Sequence, residues 1–154
     1  IKDLDGVALE RINYNRPTQD KTNWNSAASA VGYGTPGYRN SQFMMEKPSD
    51  DEISLDPEIF SPDNDGYNDV LNINYKFDAP GYMISFSIFD EVGRLTRKLI
   101  SSQLAGTEGT VTWNGITDNN DRARVGIYIL LVEIMDLQGK KKSYKKPLVV
   151  ATRL

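Results

Sequence analysis

The chain of 154 residues contains no histidine and no cysteine. Without an imidazole there is no Ser-His-Asp or Cys-His arrangement and no His-ligated zinc, so the commonest hydrolytic and metalloenzyme sites are excluded. Without cysteine there is no disulfide framework and no thiolate chemistry. Neighbouring acids such as Asp63 and Asp65 lack an associated nucleophile or oxyanion donor, so we expect that the chain is not an enzyme.

Long apolar runs and a basic surface are also missing. No stretch approaches the ~20 apolar residues that span a bilayer, so no membrane insertion is expected. The net charge of −3 gives no reason to expect nucleic acid binding. The first residues lack the pattern of a signal peptide, and we expect the chain to be part of a longer protein. With 39% hydrophobic and 25% charged residues, the composition is that of a globular domain.

The hydrophobic pattern downstream of residue 53 predicts β-strands. Apolar and polar residues alternate over 71–77 and again over 84–88, the period of two typical of strands with one buried face and one wet face. Residues 127–135 are apolar almost throughout, which predicts a central strand buried on both sides. Further strands are predicted over residues 94–100, 110–113 and 143–150.

Two segments share a strand end, an Asp and a Gly three residues later. They begin at Asp90 and Asp136, with Gly93 and Gly139 in the position that needs a left-handed backbone, so both predict tight hairpins. With residues 109–115 and 125–128, these hairpins resemble the immunoglobulin-like domain of flagellar hook-capping proteins and its relatives at the ends of secreted bacterial proteins. The resemblance implies an all-β fold, an immunoglobulin-like antiparallel β-sandwich of about seven strands.

The segment Ile-Phe-Ser-Pro-Asp-Asn-Asp-Gly-Tyr-Asn-Asp at residues 59–69 resembles the opening of the C-terminal sorting domains of type IX secretion substrates in Bacteroidetes-type bacteria. That resemblance implies an export signal for a larger surface or secreted protein. Its implied partners are the outer-membrane shuttle protein and the translocon, and its implied destination lies beyond the outer membrane.

The chain divides into three regions by composition. Residues 44–56 are polar and acidic and are predicted to be a linker, with the sorting domain at 57–154. Residues 1–43 are similar to the end of a bacterial lamin-tail domain in the order of residues 9–12, Trp24 and residues 34–37. This implies a fragment of a second β-sandwich whose remainder precedes Ile1. Without that remainder the fragment is expected to be weakly anchored.

The acidic loop, residues 61–69, offers hard oxygen ligands from Asp63, Asp65 and Asp69, while Gly66 allows a sharp turn. Calcium is the cation that such a set could hold. The spacing is not that of an EF-hand, because Asn72 stands where a bidentate Glu would be needed. The alternative is an Asx-rich turn that satisfies its own backbone.

The end of the chain is basic and then apolar. Lysines on an edge strand deter edge-to-edge pairing, but such a strand can also be recognised by a partner through its edge or its side chains. The resemblance to type IX substrates implies that this region is read by the secretion machinery. The predicted partner-binding residues are Lys140, Lys141, Lys142, Lys145, Lys146, Leu148, Val149, Val150, Arg153 and Leu154.

Trp113 raises a second hypothesis about the function of the chain. An exposed tryptophan at this position could stack on sugar rings, as in a surface adhesion or carbohydrate-binding module. Val111 shares its face of the strand, however, and this favours burial between sheets. A passive spacer between an upstream enzyme and the cell surface is a third hypothesis.

Overall fold

The computed structural model describes residues 6–45 and 51–153. No α-helix occurs in these parts of the chain, where the helical turns are the short 3₁₀ helices Lys21–Asn23 and Ser29–Val31. The predicted all-β class is therefore confirmed. The strands are β1 (Leu9–Arg11), β2 (Trp24–Ser26), β3 (Ile53–Asp56), β4 (Ile59–Phe60), β5 (Leu71–Lys76), β6 (Met83–Asp90), β7 (Leu95–Leu104), β8 (Glu108–Trp113), β9 (Gly126–Met135) and β10 (Lys141–Val150).

Strands β3 to β10 form a sandwich of two sheets. One sheet has five strands in the order β4-β10-β9-β6-β7, and the other has three in the order β3-β5-β8. All pairs are antiparallel except β4 with β10, which run parallel. The predicted immunoglobulin-like sandwich is thus confirmed, with eight strands in place of about seven.

The core lies between the two sheets and is centred on Trp113. Its indole is 1% exposed and donates a hydrogen bond from Nε1 to the Ile116 carbonyl at 2.9 Å. The rings of Phe60 and Tyr128 contact it edge to face, with centroids at 5.4 and 5.8 Å. Burial of Trp113 is therefore confirmed, and its ring is not available for stacking on a sugar.

The two predicted hairpins are present and share one geometry. In the turn between β6 and β7, one carboxylate oxygen of Asp90 accepts from the amides of Val92 and Arg94. Asp136 makes the equivalent pair of bonds between β9 and β10. Gly93 and Gly139 both have a φ of +82°, the left-handed conformation that glycine adopts without steric cost.

The sandwich begins earlier than the sequence indicated. Ile53–Asp56 forms β3 and pairs with β5 from Ile53 opposite Tyr75 to Asp56 opposite Asn72. The linker predicted over 44–56 therefore extends too far at its C-terminal end. Ile53 is 1% exposed and belongs to the core, so this strand is fixed by tertiary burial and not by its local composition.

Residues 6–45, here called the N-terminal segment, lie against the outer face of the three-stranded sheet. This segment contains the antiparallel pair of β1 and β2, and its 3₁₀ turn Lys21–Asn23 contacts β8. Asn72 of β5 and Thr112 of β8 point outward, yet they are only 3% and 5% exposed. The wet face predicted for β5 is thus wrong at Asn72, which the N-terminal segment covers, whereas Lys76 on the same face is exposed.

Strand β9 lies between β10 and β6, as predicted for a central strand, but only one of its faces is buried. Tyr128, Leu130 and Val132 point into the core, whereas Ile127 on the opposite face is 55% exposed. The prediction of burial on both sides is wrong, since the described parts of the chain supply no layer on this outer face.

Candidate functional site

The acidic loop is organised around the carboxylate of Asp69, which is 3% exposed. Oδ1 accepts from the amides of Asn64 and Asp65 at 2.5 and 3.2 Å. Oδ2 accepts from the amide of Gly66 at 2.7 Å and from the side chain of Gln42 at 3.0 Å. A carboxylate has about four lone-pair positions, so these donors fill all of them.

The backbone of the loop takes left-handed conformations that suit its residue types. Asn64, Gly66 and Asn68 have φ values of +65°, +97° and +50°. Asn tolerates this region better than most residues, and Gly has no Cβ to oppose it. At Gly66 a Cβ would also stand 3.2 Å from the side chain of Ala28, so the N-terminal segment and the loop approach closely there.

Asn64 joins the acidic loop to the N-terminal segment. Its side-chain amide donates to the Ala27 carbonyl at 2.8 Å, and its own carbonyl accepts from the Ser29 amide at 2.8 Å. Gln42, 4% exposed, donates to both Asn64 and Asp69 at 3.0 Å. The motif that resembles a secretion signal therefore serves as the joint between the sandwich and the upstream residues.

A second buried contact fixes this joint. Arg16, 8% exposed, donates to the Thr112 hydroxyl at 2.7 Å, and that hydroxyl donates to Asn72 at 2.7 Å. The same guanidinium pairs with Asp20 at 2.7 Å. The expectation that residues 1–43 are weakly anchored is wrong for their described part, because charge-assisted and neutral hydrogen bonds hold it to β8 and to the acidic loop.

The three predicted calcium ligands do lie together. One oxygen from each of Asp63, Asp65 and Asp69 falls within 4.8 Å of the others. Burial raises the pKa of Asp69, against the lowering effect of its hydrogen bonds from Gln42 and Gly66. Because Asp69 already has four donors, the geometry favours the Asx-rich turn as the alternative to a calcium site.

The predicted partner-binding residues divide between the two faces of β10. Leu148 and Val150 are each 1% exposed and belong to the core. Lys140, Lys141, Lys142 and Lys145 are exposed, while Lys146 and Val149 are half-buried. Arg153 lines a groove of about 390 Å³ at the end of the sandwich, with Pro62 and Arg122. Leu154 lies outside the described residues.

The outer face of the five-stranded sheet carries an apolar row that sequence analysis missed. Pairing aligns Pro147, Ile129, Phe89 and Leu95 across four adjacent strands. All four are exposed or half-buried. Apolar patches on a surface often mark interaction sites. The apolar run at 127–135, interrupted by Glu133, was the signal for this row, but such a run is expected whether the second face of the strand contacts another layer or solvent.

Residues 54–150 match the family described as CHU_C Type IX secretion signal domain, a match that covers more than half of the chain. The chain belongs to this family. It therefore carries a sorting domain of the type IX secretion system, which marks a protein for the cell surface or for secretion. No helix in the described residues is long and apolar enough to cross a membrane.

Solved structures give two further likenesses. PorZ, a surface component of the type IX secretion system of Porphyromonas gingivalis, is 26% identical with a TM-score of 0.40, over 64% of this chain and 11% of PorZ. CopC from Methylosinus trichosporium OB3b is 17% identical with a TM-score of 0.38, over 56% of this chain and 78% of CopC. TM-scores this low add nothing to the argument on fold. No curated protein matches the chain.

Proposed function

We propose that residues 53–154 bind the outer-membrane shuttle protein and the translocon of the type IX system, and so carry a larger protein across the outer membrane. The domain performs no chemistry of its own in this proposal. Its main support is family membership over residues 54–150. The sandwich is also complete within these residues, since β3 to β10 supply both sheets.

Recognition is assigned to β10 and the residues that follow it. Strand β10 pairs with β9 along its whole length, but β4 covers its other edge only at Val149 and Val150. The exposed lysines stand along the uncovered part of that edge. A strand with one open edge can pair with another chain, and this is a known mode of peptide recognition.

Export of a reporter tests this proposal. Residues 51–154 are fused behind a fluorescent protein with a periplasmic signal peptide, in a bacterium that has type IX secretion. We expect the fusion to leave the cell or to reach its surface. A reporter that stays in the periplasm, while the full-length parent protein is exported, would contradict the proposal.

Two truncations separate folding from recognition. Among the residues that the structure describes, removal of residues 151–154 takes away one backbone hydrogen bond to the sandwich, from the Ala151 amide to the Phe60 carbonyl, so it should leave the fold intact while export falls. Removal from Lys140 onward deletes β10 with Leu148 and Val150, so it should unfold the domain. Circular dichroism and thermal melting report the fold of each. If the variant that lacks residues 151–154 is folded and exported normally, the secretion machinery does not recognise these last residues.

A further inference from the structure

The open edge of β10 has a defined set of hydrogen-bonding groups. The Val149 amide donates to the Glu58 carbonyl at 2.9 Å, and the Ala151 amide donates to the Phe60 carbonyl at 2.8 Å. These two amides therefore point away from β9. Successive residues of a strand direct their amides to opposite edges, and the register of β10 with β9 is continuous. The amides of Ser143 and Lys145 accordingly face the same open edge.

Pro147 lies just before the part of the β10 edge that β4 covers. By the same alternation its nitrogen faces the open edge, where it has no hydrogen to donate. Strand β4 ends its pairing at Val149, and the chain before it belongs to β3 in the other sheet. Within the described residues, no strand pairs with the edge from Lys141 to Lys146, although β3 of the other sheet contacts β10.

The charged residues of β10 itself along this edge are all lysines, although Glu52 and Glu133 lie nearby. Of the five lysines at 140, 141, 142, 145 and 146, only Lys142 forms an ion pair within the described residues, with Glu52 at 2.6 Å. Lys141, Ser143 and Lys145 lie on the outer face with exposed side chains. A second copy of this edge would bring lysines against lysines, which is unfavourable. An acidic strand would instead find opposite charges across the pair.

We propose that the open edge of β10 between Lys141 and Lys146 receives an extended acidic segment of the secretion partner as an additional strand. This inference rests on the proposed sorting function and names the chemistry of its partner. The backbone of the segment pairs with Ser143 and Lys145, and its carboxylates lie opposite Lys141 and Lys145. The outer apolar row of the same sheet adjoins the added strand.

Amide hydrogen exchange of the full chain tests the geometry. Without a partner, the amides of Ser143 and Lys145 should exchange quickly, while those of Tyr144 and Lys146, which face β9, should be protected. The probe is a short synthetic peptide in which valine and glutamate alternate. We expect it to slow exchange at Ser143 and Lys145 by about tenfold or more at saturation. A peptide of alternating valine and lysine is the matched control.

Either of two results would overturn the proposal. One is unchanged exchange at Ser143 and Lys145 with the acidic peptide present. The other is equal protection by the basic peptide, because the lysines would then have no part in recognition.

Substitution of the edge links this geometry to export. Ser143→Pro removes an amide that faces the open edge, so it should preserve the fold and reduce export of the reporter severalfold. Ser143→Ala keeps the amide and should be exported normally. Lys146→Pro removes an amide that faces β9 and should destabilise the sandwich, which checks the assigned alternation.

The outcomes separate this inference from the proposed function. If the unsubstituted domain exports the reporter and folded Ser143→Pro does so equally well, the edge is not the contact, and the sorting function stands. If the unsubstituted domain fails to export, the sorting function itself is wrong. Loss of export with Ser143→Pro alone, in a folded domain, supports the added strand.

Discussion

Replacement of Asp69 by Asn should destabilise the acidic loop and loosen the N-terminal segment together. The carboxylate receives hydrogen bonds from three backbone amides of its own loop and from Gln42. An Asn side chain offers one carbonyl oxygen and one NH₂ group, so only half of these donors keep an acceptor. The NH₂ group would point at the donors on the other side.

The magnitude follows from the bonds lost. Hydrogen bonds to a charged acceptor are worth roughly 1.5 to 3 kcal/mol each. Two of the four are lost in Asp69→Asn, and water can reach the partly buried amides of the loop, so the lower value applies. We expect a loss of about 3 kcal/mol in the free energy of unfolding.

The two tryptophans of the chain provide the assay. Trp24 lies in the N-terminal segment and Trp113 in the sandwich core, so replacing one by Phe leaves a probe of the other part. Urea unfolding of Asp69→Asn should shift the Trp24 signal at least as much as the Trp113 signal. Asp63→Asn is the matched control, because Asp63 accepts only a 3.2 Å bond from the Asp65 amide within the loop.

Two results would refute this reasoning. A loss below about 1 kcal/mol for Asp69→Asn would mean that its four hydrogen bonds contribute little net stability. An equal loss for Asp63→Asn would indicate that the carboxylates act as a set, as they would around an ion.

Four further predictions follow from the same contacts. Because the acceptors of Asp69 are filled, melting temperatures in calcium and in chelator should agree, and a rise with calcium that Asp63→Asn abolishes would establish the ion site. Trp113→Ala should cost about 3 to 5 kcal/mol in urea unfolding followed by circular dichroism, and an unchanged stability would contradict its place in the core. Thr112→Val leaves the buried Arg16 without one acceptor and should cost about 1 to 3 kcal/mol, with the Trp24 signal affected first. Burial tends to raise the pKa of Glu10, but hydrogen bonds from Thr35 and Ser41 outweigh this effect, so the pKa lies below its usual value; its stabilising effect should be lost as pH falls through that lowered pKa, and Glu10→Gln should remove this pH dependence.

Local patterns predicted the strands and turns of the sandwich well. The alternation in β5 and β6 placed Ile73 and Phe86 in the core, and the spacing from Asp90 to Gly93 identified a hairpin. Such features depend on residues that are neighbours in the chain, where period and turn chemistry are visible in the sequence.

The remaining features depend on distant contacts. Arg16 and Thr112 are 96 residues apart, and the sequence around neither residue indicates that the two form a buried hydrogen bond. The acidic motif around Asp69 is compatible with a cation site and with an Asx-rich turn that bonds its own backbone. Only the directions of the backbone amides in the structure distinguish the two. The four residues of β3 are too few for their period to distinguish a strand from a linker.

The two outer faces of the sandwich differ in the kind of contact that each can make. The covered face presents Asn72 and Thr112, whose side chains water could solvate if the N-terminal segment were absent. On the sheet itself the contact with the upstream residues is thus made by hydrogen bonds, which depend on the positions of particular donors and acceptors, whereas the opposite face presents an apolar row to solvent.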